Sequence, residues 1–494
     1  MTDQPHEALP AAVSVTVRDR LFLCGTFALG VLLADAFFWH GPTAALTAAV
    51  WAWYALARWY AGPLRRREDR LLRGYVLILA AAFALGSNWY FRLWDLLALF
   101  VLVPVQLGGV LAPEKPWHLP SALLSRWGGG VSGLFTGLGA FFQSLVPEKA
   151  EKRRLPAALL GTAAALAMVC LLVPVLASAD ALFAAVTADL RAFIRDRFSV
   201  GLAKVLCGAA LTPFLFSLLF SLGHPRGKPW TQRKAPAADP LTFAAILGAL
   251  AALYLLFLGV QLRGVLGGAD YLAQRGISYA QWARSGFFQM TGVTAVNLTA
   301  ILASSWACRP GGRGGRTVRL LAAAVLAESL ALLGCAAWRM TLYVQAYGLS
   351  FKRFVTYWGM VMMALFLLTA AWKLLRPSRS FCRAAVPLAL AGWLVLHCIP
   401  VDYLVARDQV DRYLSGQSPT VSVHYLAYAL SYDTLSPLSR LDGDRTLASF
   451  EGDWWSQGET LGELLETRRA AAAAECADWR TWSLSAYLAA RQAE

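Results

Sequence analysis

The chain has 494 residues, of which 57% are hydrophobic and 15% are charged, and its mean hydropathy is +0.50. A soluble protein carries charge on about a quarter of its residues, so this composition excludes an ordinary soluble domain. The net charge of +15 comes from basic residues scattered between apolar runs, which argues against a nucleic-acid partner. The lipid bilayer is therefore the first partner that the sequence predicts.

Apolar runs long enough to cross a bilayer recur along most of the chain. A transmembrane helix needs about 20 residues, because the hydrocarbon core is about 30 Å thick. Eleven runs approach this length, and they predict an all-α polytopic bundle with about 11 transmembrane helices in residues 1–404. The runs lie near 21–39, 43–61, 74–91, 94–112, 156–177, 200–222, 240–262, 286–306, 318–338, 354–374 and 384–404.

The basic residues near the ends of these runs predict the orientation in the membrane. Alternate connections carry 25 Lys and Arg residues on one side and 10 on the other. Because cytoplasmic loops carry the excess of Lys and Arg, the first side is the cytoplasmic side of the cell membrane. The amino terminus is then cytoplasmic, and an odd number of spans places the carboxyl terminus outside. Residues 405–494, with eight Arg and thirteen Asp or Glu, are predicted to form a helical extracytoplasmic segment.

Residues 117–145 predict a different kind of helix. Apolar residues recur there at steps of three, four or seven, and polar residues occupy the intervening positions. This pattern is typical of an amphipathic helix that lies on the inner leaflet, and it is equally typical of a helix packed under the bundle. Gly128–Gly130 interrupt the pattern, and the sequence leaves both alternatives open.

Two polar residues are predicted at the depth of the bilayer centre. Asn297 and Glu328 lie near the middle of two consecutive apolar runs. An ionisable side chain costs about 2.5–3.5 kcal/mol at this depth, so we expect Glu328 to face the bundle interior and to be protonated or bonded to Asn297. The pair is either a structural contact between helices or a proton-linked or ligand-linked site of a transporter.

Recognisable cofactor and metal motifs are weak. The letters GGGVSG at 128–133 fit a dinucleotide fingerprint, but no strand precedes them and no βαβ unit surrounds them. The eight cysteines and six histidines show no spacing typical of a metal site or of a disulfide framework. The sequence therefore predicts no cofactor and no metal.

Four sequence blocks carry a resemblance to a known family. They read SYAQWARSGFFQM (278–290), WRMTLYVQAYGLSFKRF (338–354), VARDQVDRY (405–413) and DWRTWSLSAY (478–487). Residues 240–494 thereby resemble the bacterial polytopic membrane family labelled domain of unknown function 4173, with its sibling 4153. Gln409 stands where that resemblance leads us to expect Asn. The resemblance implies a membrane architecture and no particular activity.

These blocks gather charged and aromatic residues at the predicted outer face. Arginine side chains there are suited to bind a carboxylate or a phosphate, or they dock the C-terminal segment onto the bundle through pairs such as Arg353 with Asp408. Docking is the interpretation we favour. The candidate residues are Arg284, Arg339, Tyr343, Tyr347, Arg353, Arg407, Asp408, Arg412 and Tyr413.

Three classes of function are compatible with the sequence. The favoured class is a non-enzymatic envelope protein, a sensor, scaffold or assembly component whose outer helical face meets another envelope protein. The second class is a secondary transporter that uses the depth of Glu328 and Asn297, although no internal repeat supports it. The third class is a membrane-embedded transferase that acts on a lipid-linked substrate, held as an anionic ligand at the outer cluster. Catalytic residues are not predicted, and the sequence favours no enzyme.

Overall fold

The structure, a computed structural model, describes most of the chain as helix. It describes residues 17–64, 66–111, 120–145, 200–223, 239–273, 287–308, 312–451 and 458–491, with isolated residues between 165 and 187. Within these ranges the only extended pairing is an isolated bridge between Thr446 and Thr460. The predicted all-α class therefore agrees with the described part of the chain.

The chain divides into two compact units. The first takes its described residues from Met1–Pro116, Ser121–Trp230 and Ala473–Tyr487, and the second from Trp117–Pro120, Thr231–Ala472 and Leu488–Glu494. The C-terminal segment thus contributes to both units. This division follows spatial contacts and leaves the predicted boundary between residues 404 and 405 untested.

The helices of the first unit enclose an aromatic core. The ring of Phe22 stacks on Tyr60 at 3.9 Å and contacts Phe216 at 5.1 Å, and all three side chains are buried. These contacts join the first, second and seventh helices. The helices are α1 (Val17–Asp35, continued by the π-helical turn Ala36–His40), α2 (Ala44–Ala61), α3 (Arg67–Leu85), α4 (Trp89–Leu111), α5 (Pro120–Thr136), α6 (Leu138–Leu145) and α7 (Val200–Gly223).

The described part of the predicted amphipathic segment forms α5 and α6, which contact α4 and α7. The hydroxyl of Ser217 on α7 accepts a hydrogen bond from the backbone N–H of Gly137 at 2.8 Å and donates to the carbonyl of Gly133 at 2.8 Å. A Cβ atom at Gly130 would overlap the carbonyl of Pro104 on α4. Glycine is thus required for the close approach of α5 to α4, which is a structural reason for the motif at 128–133. The position of α5 relative to a lipid surface stays a prediction.

The second unit is built on a parallel pair of long helices. Pro240 lies beside Gly314 at one end of this pair, and Gln261 accepts a hydrogen bond from Arg339 toward the other. The helix that lies between these two in the sequence runs in the opposite direction and packs on the same core through Ile301. The helices of this part of the chain are α8 (Pro240–Ala273), α9 (Phe287–Ala307), α10 (Gly312–Tyr347), α11 (Phe351–Leu375), α12 (Phe381–His397), α13 (Val401–Leu414), α14 (Leu435–Leu438), α15 (Ala448–Glu451), α16 (Leu461–Ala477) and α17 (Leu484–Arg491).

The predicted number of eleven spans is not confirmed. Within the described residues six helices are long and apolar enough to cross a membrane, and a seventh is counted if α12 and α13, bent by 51°, form one span. Helices α2 and α3 fall outside this set, α9 contributes only a shorter apolar helix, and the predicted run at 156–177 lies almost entirely outside the described residues. The six are Arg18–His40, Trp89–Leu111, Val200–Gly223, Pro240–Arg263, Arg313–Tyr347 and Phe351–Leu375.

The close contact between α4 and α5 gives a first prediction. We expect Gly130→Ala to lower the free energy of unfolding by about 1–3 kcal/mol, because the added methyl group overlaps the Pro104 carbonyl. Gly128→Ala is the control, since no atom lies within 4 Å of the point that its added methyl group would occupy, and Ala favours a helix by about 0.5–1 kcal/mol. Thermal unfolding in detergent measures both variants. Equal stability of the two would contradict the packing.

Candidate functional site

The turn between α10 and α11 is where most of the predicted outer cluster meets. Gly348 ends α10 with a φ of +74°, a left-handed conformation that glycine adopts without strain. Ser350 then caps α11, because its hydroxyl accepts a hydrogen bond from the backbone N–H of Arg353 at 3.4 Å. The local sequence YGLS thus encodes a helix stop followed by a helix start.

Arg353 stabilises this turn from within. Its guanidinium donates to the carbonyl oxygens of Tyr347, at 2.9 Å, and of Gly348. The same group lies 4.2 Å from the centre of the Tyr343 ring, a distance typical of a cation–π contact. The Arg353 side chain therefore bonds to the turn rather than to Asp408, the partner that the sequence analysis suggested.

Helix α13 is anchored to the turn by Asp408 and Gln409. The Asp408 carboxylate accepts a hydrogen bond from the backbone N–H of Leu349 at 2.6 Å. The Gln409 amide donates to the carbonyl of the same Leu349 at 3.0 Å, so Gln supplies the backbone contact at the position where Asn was expected. One residue of the turn is thus held at both of its backbone polar groups.

Arg412 completes the anchor. Its Nε lies 3.3 Å from the Asp408 carboxylate, and its Nη2 donates to the carbonyls of Val344 at 3.1 Å and Gln345 at 3.0 Å. These carbonyls belong to the last turn of α10, where the Val344 carbonyl also accepts the Gly348 N–H at 2.8 Å and the carbonyls after it lack helical partners. A Cβ atom at Gly348 would lie 3.1 Å from Arg412 Cδ, so the small residue also makes room for the anchor. We call Leu349, Asp408, Gln409 and Arg412 the turn anchor.

The other predicted cluster residues lie apart from the turn anchor. Arg407 forms an exposed pair with Asp411 at 3.6 Å, and the Tyr413 hydroxyl accepts a hydrogen bond from Arg445 at 3.0 Å. Arg339 is 4% exposed, and its Nη1 donates to Gln261 on α8 at 3.3 Å. Arg284 lies outside the described residues. The described residues of the predicted outer cluster therefore form several separate internal contacts and do not converge on one site.

The polar residues at the predicted membrane centre have a different arrangement from the expected one. The Asn297 amide is fully buried and donates to the Ser329 hydroxyl at 2.8 Å, so the expected hydrogen bond to Glu328 is replaced by one to its neighbour. Within the described part of the chain, Oε2 of Glu328 and Oδ1 of Asn297 are buried without a hydrogen-bond partner. Tyr254 on α8 is close enough for its phenol to interact with Glu328.

Two further residues organise the C-terminal segment in the second unit, and this structural role was not predicted from the sequence. Asp402 is 4% exposed, and its carboxylate accepts a hydrogen bond from the backbone N–H of Ser431 at 3.0 Å. The Tyr425 phenol bonds to the backbone of Phe351 at the start of α11, and burial raises its pKa above the ordinary value. The position of Asp402 at the start of α13 was the available signal, because a carboxylate in an apolar first turn needs a partner.

The first unit also holds a piece of the C-terminal segment, through Asp35. Its carboxylate pairs with Lys204 on α7, with His40 at 3.4 Å and with Arg480 at 3.6 Å. The Arg480 carbonyl accepts hydrogen bonds from the Thr43 hydroxyl at 2.6 Å and from the backbone N–H of Ala45 at 3.1 Å. We call Asp35, His40, Lys204 and Arg480 the Asp35 cluster.

The Asp35 cluster lies at the end of α1 and α2 opposite to their basic end. Helix α1 begins near Arg18, whose guanidinium donates to the carbonyls of Trp59 at 2.7 Å and Tyr60 at 3.1 Å in the last turn of α2. It ends at Asp35, beside the start of α2. Residues 478–480 therefore lie at the end of this helix pair that is remote from Arg18.

Comparison with known proteins gives one match. Residues 73–441 match the model of a family described as a domain of unknown function, DUF4153. The chain belongs to this family. The match begins well before residue 240, where the resemblance was first noted, and DUF4173, the family named first from the sequence, is not shown. No curated protein and no solved structure matches the chain.

The turn anchor gives a second prediction. We expect Asp408→Ala to release α13, because the Leu349 N–H and Arg412 lose their shared acceptor, at a cost of about 1–3 kcal/mol. Proteolysis after residue 404 should then become faster. Asp411→Ala is the matched control on the same helix, since its partners Arg407 and Arg440 are exposed and such pairs contribute about 1 kcal/mol or less. Equal cleavage of both variants would show that Asp408 does not hold α13.

Proposed function

We propose that this protein is a non-enzymatic, multi-pass component of the cell membrane whose C-terminal segment forms a docked helical surface for another envelope protein. The turn anchor is the observation that carries the proposal. The side chains of Asp408, Gln409 and Arg412 on α13 bond to the backbone of the turn and of the last turn of α10. These bonds hold α13 in one position on the turn. A surface held in this way is pre-organised for a partner, which lowers the entropy loss on binding.

The internal bonding of the outer arginines supports this proposal over a transferase. A site that binds an anionic substrate needs guanidinium groups that are free to contact it. Arg353 and Arg412 instead donate to backbone carbonyls near the turn. A transferase would also need a carboxylate free to act as a general base. Asp402, Asp408 and Asp411 each have an internal hydrogen-bond partner instead.

The Asp35 cluster supports an extracytoplasmic C-terminal segment. Residues 478–480 bond to the end of α1 and α2 that is remote from Arg18, while Arg66 and the arginines of the first turns of α3 follow the other end of α2. Because basic residues accumulate on the cytoplasmic side, the segment belongs to the opposite side. This argument uses neighbouring side chains, so it does not depend on the total number of spans.

The proposal is tested in living cells with a photo-crosslinking amino acid. Tyr428 is 46% exposed on the segment, whereas Tyr432 is 6% exposed and serves as the buried control. We expect a discrete crosslinked partner from position 428, no crosslink from position 432, and loss of the crosslink when Asp408→Ala releases α13. A reporter fused after Glu494 should be active outside the cytoplasm. An inactive reporter, or a crosslink that persists with α13 released, would refute the proposal.

A secondary transporter is the second candidate, because of the unpartnered polar atoms near Glu328. A carboxylate oxygen that is buried without a hydrogen bond is costly in an apolar helix and is typical of functional sites in transporters. Tyr254 on α8 interacts with Glu328, and Asn297 on α9 bonds to Ser329, the next residue of α10. The site would bind or release a proton during transport.

Two variants of Glu328 separate the candidates. If Glu328 is structural, Glu328→Gln should keep the stability and the growth phenotype of the parent, and Glu328→Leu should be at least as stable because a buried oxygen without a partner is removed. Ser329→Ala is the control for the neighbouring bond to Asn297, with an expected loss of about 0.6–1.7 kcal/mol. Loss of function in Glu328→Gln with unchanged thermal stability would favour the transporter.

A further inference from the structure

The first unit contains a cavity of about 350 Å³ at the basic end of its helices. The last turns of α2 and the connection after it form one wall, the first two turns of α3 form another, and the end of α4 closes it together with Leu222 of α7. Its polar lining consists of Tyr54, Arg58, Arg66, Asp69, Arg73 and Gln106. No function proposed above uses this cavity.

The three lining arginines have no carboxylate within ion-pair distance in the described part of the chain. Arg58, Arg66 and Arg73 form no ion pair and no side-chain hydrogen bond with any residue in the described part of the chain. Arg58 and Arg66 are exposed and Arg73 is half-buried, so their guanidinium groups are accessible to an anion that enters the cavity. The lining therefore carries a positive charge that the described residues do not neutralise.

Asp69, the carboxylate in the lining, already has a buried partner. Its Oδ1 lies 3.6 Å from Nη1 of Arg126 on α5, and the two residues are 4% and 2% exposed. Gly109 makes this pair possible, since a Cβ atom there would lie 2.6 Å from Arg126 Nη1 and 2.7 Å from Asp69 Oδ1. Burial raises the pKa of Asp69, and Arg126 opposes the shift. Arg66 also acts on this carboxylate, after Arg126, and the lining with three arginines and one aspartate keeps a net positive charge.

The neutral polar groups in the cavity are suited to bind an oxygen-rich group. The Tyr54 hydroxyl donates to Oε1 of Gln106 at 3.3 Å, and both residues are buried. The amide nitrogen of Gln106 makes no other hydrogen bond within the described residues. The site thus offers an amide donor beside three guanidinium groups.

We infer that this cavity binds a phosphate ester, either as the head group of an anionic phospholipid or as a soluble organic phosphate. Guanidinium groups bind phosphate oxygens through two parallel hydrogen bonds, which makes arginine the usual residue at such sites. A volume of about 350 Å³ is at the lower end of ligand pockets and suits a phosphate with a small polar substituent. The inference does not depend on the proposed function, because it concerns other residues in the first unit.

The test uses the full chain purified in detergent and two probes. sn-Glycerol 3-phosphate, titrated against sodium chloride of equal ionic strength, detects a soluble phosphate. Retention of phosphatidylglycerol against phosphatidylcholine, measured by native mass spectrometry after reconstitution in mixed nanodiscs, detects a lipid head group. The variants are Arg66→Gln and Arg73→Gln in the lining, and Arg67→Gln is the matched control because it is exposed on α3 and does not line the cavity.

We expect at least about tenfold weaker binding of one probe in each lining variant, because each removes a hydrogen bond between charged groups, and a change below twofold in Arg67→Gln. Arg66→Lys keeps the charge and loses the paired donors, so it should bind more weakly than the parent while folding normally. Binding of the soluble probe identifies a soluble phosphate, and selective lipid retention identifies a head group. Absence of both, or an equal loss in Arg67→Gln, overturns the inference.

Discussion

A carboxylate withdrawn from water needs compensating charge, and Asp35 receives it from two distant parts of the chain. Lys204 comes from α7 and Arg480 from the C-terminal segment, while the His40 ring lies 3.4 Å from the carboxylate in the turn after α1. Arg480 is 36% exposed and Asp35 also has Lys204, so loss of Arg480 alone leaves the carboxylate partly compensated. The C-terminal segment thus contributes to the charge balance beside Asp35.

The turn anchor applies the same principle to backbone groups. The Gln345 carbonyl lies in the last turn of α10, where carbonyls lack helical partners, and the Leu349 N–H follows a glycine that ends the helix. Arg412 and Asp408 satisfy these groups with charged side chains, whose hydrogen bonds are stronger than those of neutral groups. Three of the candidate residues, Arg353, Asp408 and Arg412, are therefore bonded to backbone groups of the turn, and Asp408 and Arg412 also pair with each other.

The two faces of the first unit differ in how completely their charges are balanced. At the Asp35 end, one carboxylate meets several cations, and Asp478 interacts with His40 and Arg480. At the opposite end, Arg58, Arg66 and Arg73 surround a cavity whose carboxylate is already paired with Arg126. Balanced charge stabilises the fold, whereas unbalanced charge next to an open volume is typical of a binding site. We therefore assign docking of the C-terminal segment to the Asp35 end and the inferred ligand binding to the cavity at the opposite end.

The sequence by itself determined the helical class, the membrane character and the residues at which some helices end and begin. These properties follow from apolar runs and from single residues such as Gly348 and Ser350, whose effects act within one helical turn.

Tertiary structure alone decided which partner each polar side chain has. The Thr43 hydroxyl bonds to Arg480 across 437 positions, and no periodicity encodes a contact at that separation. Arg353 has a long side chain that reaches several acceptors, so its choice of the turn carbonyls over Asp408 was settled by the path of the backbone after Gly348. The cavity likewise exists because α2 and α4 end, and α3 begins, near one another, a property of helix packing that no short stretch of sequence contains.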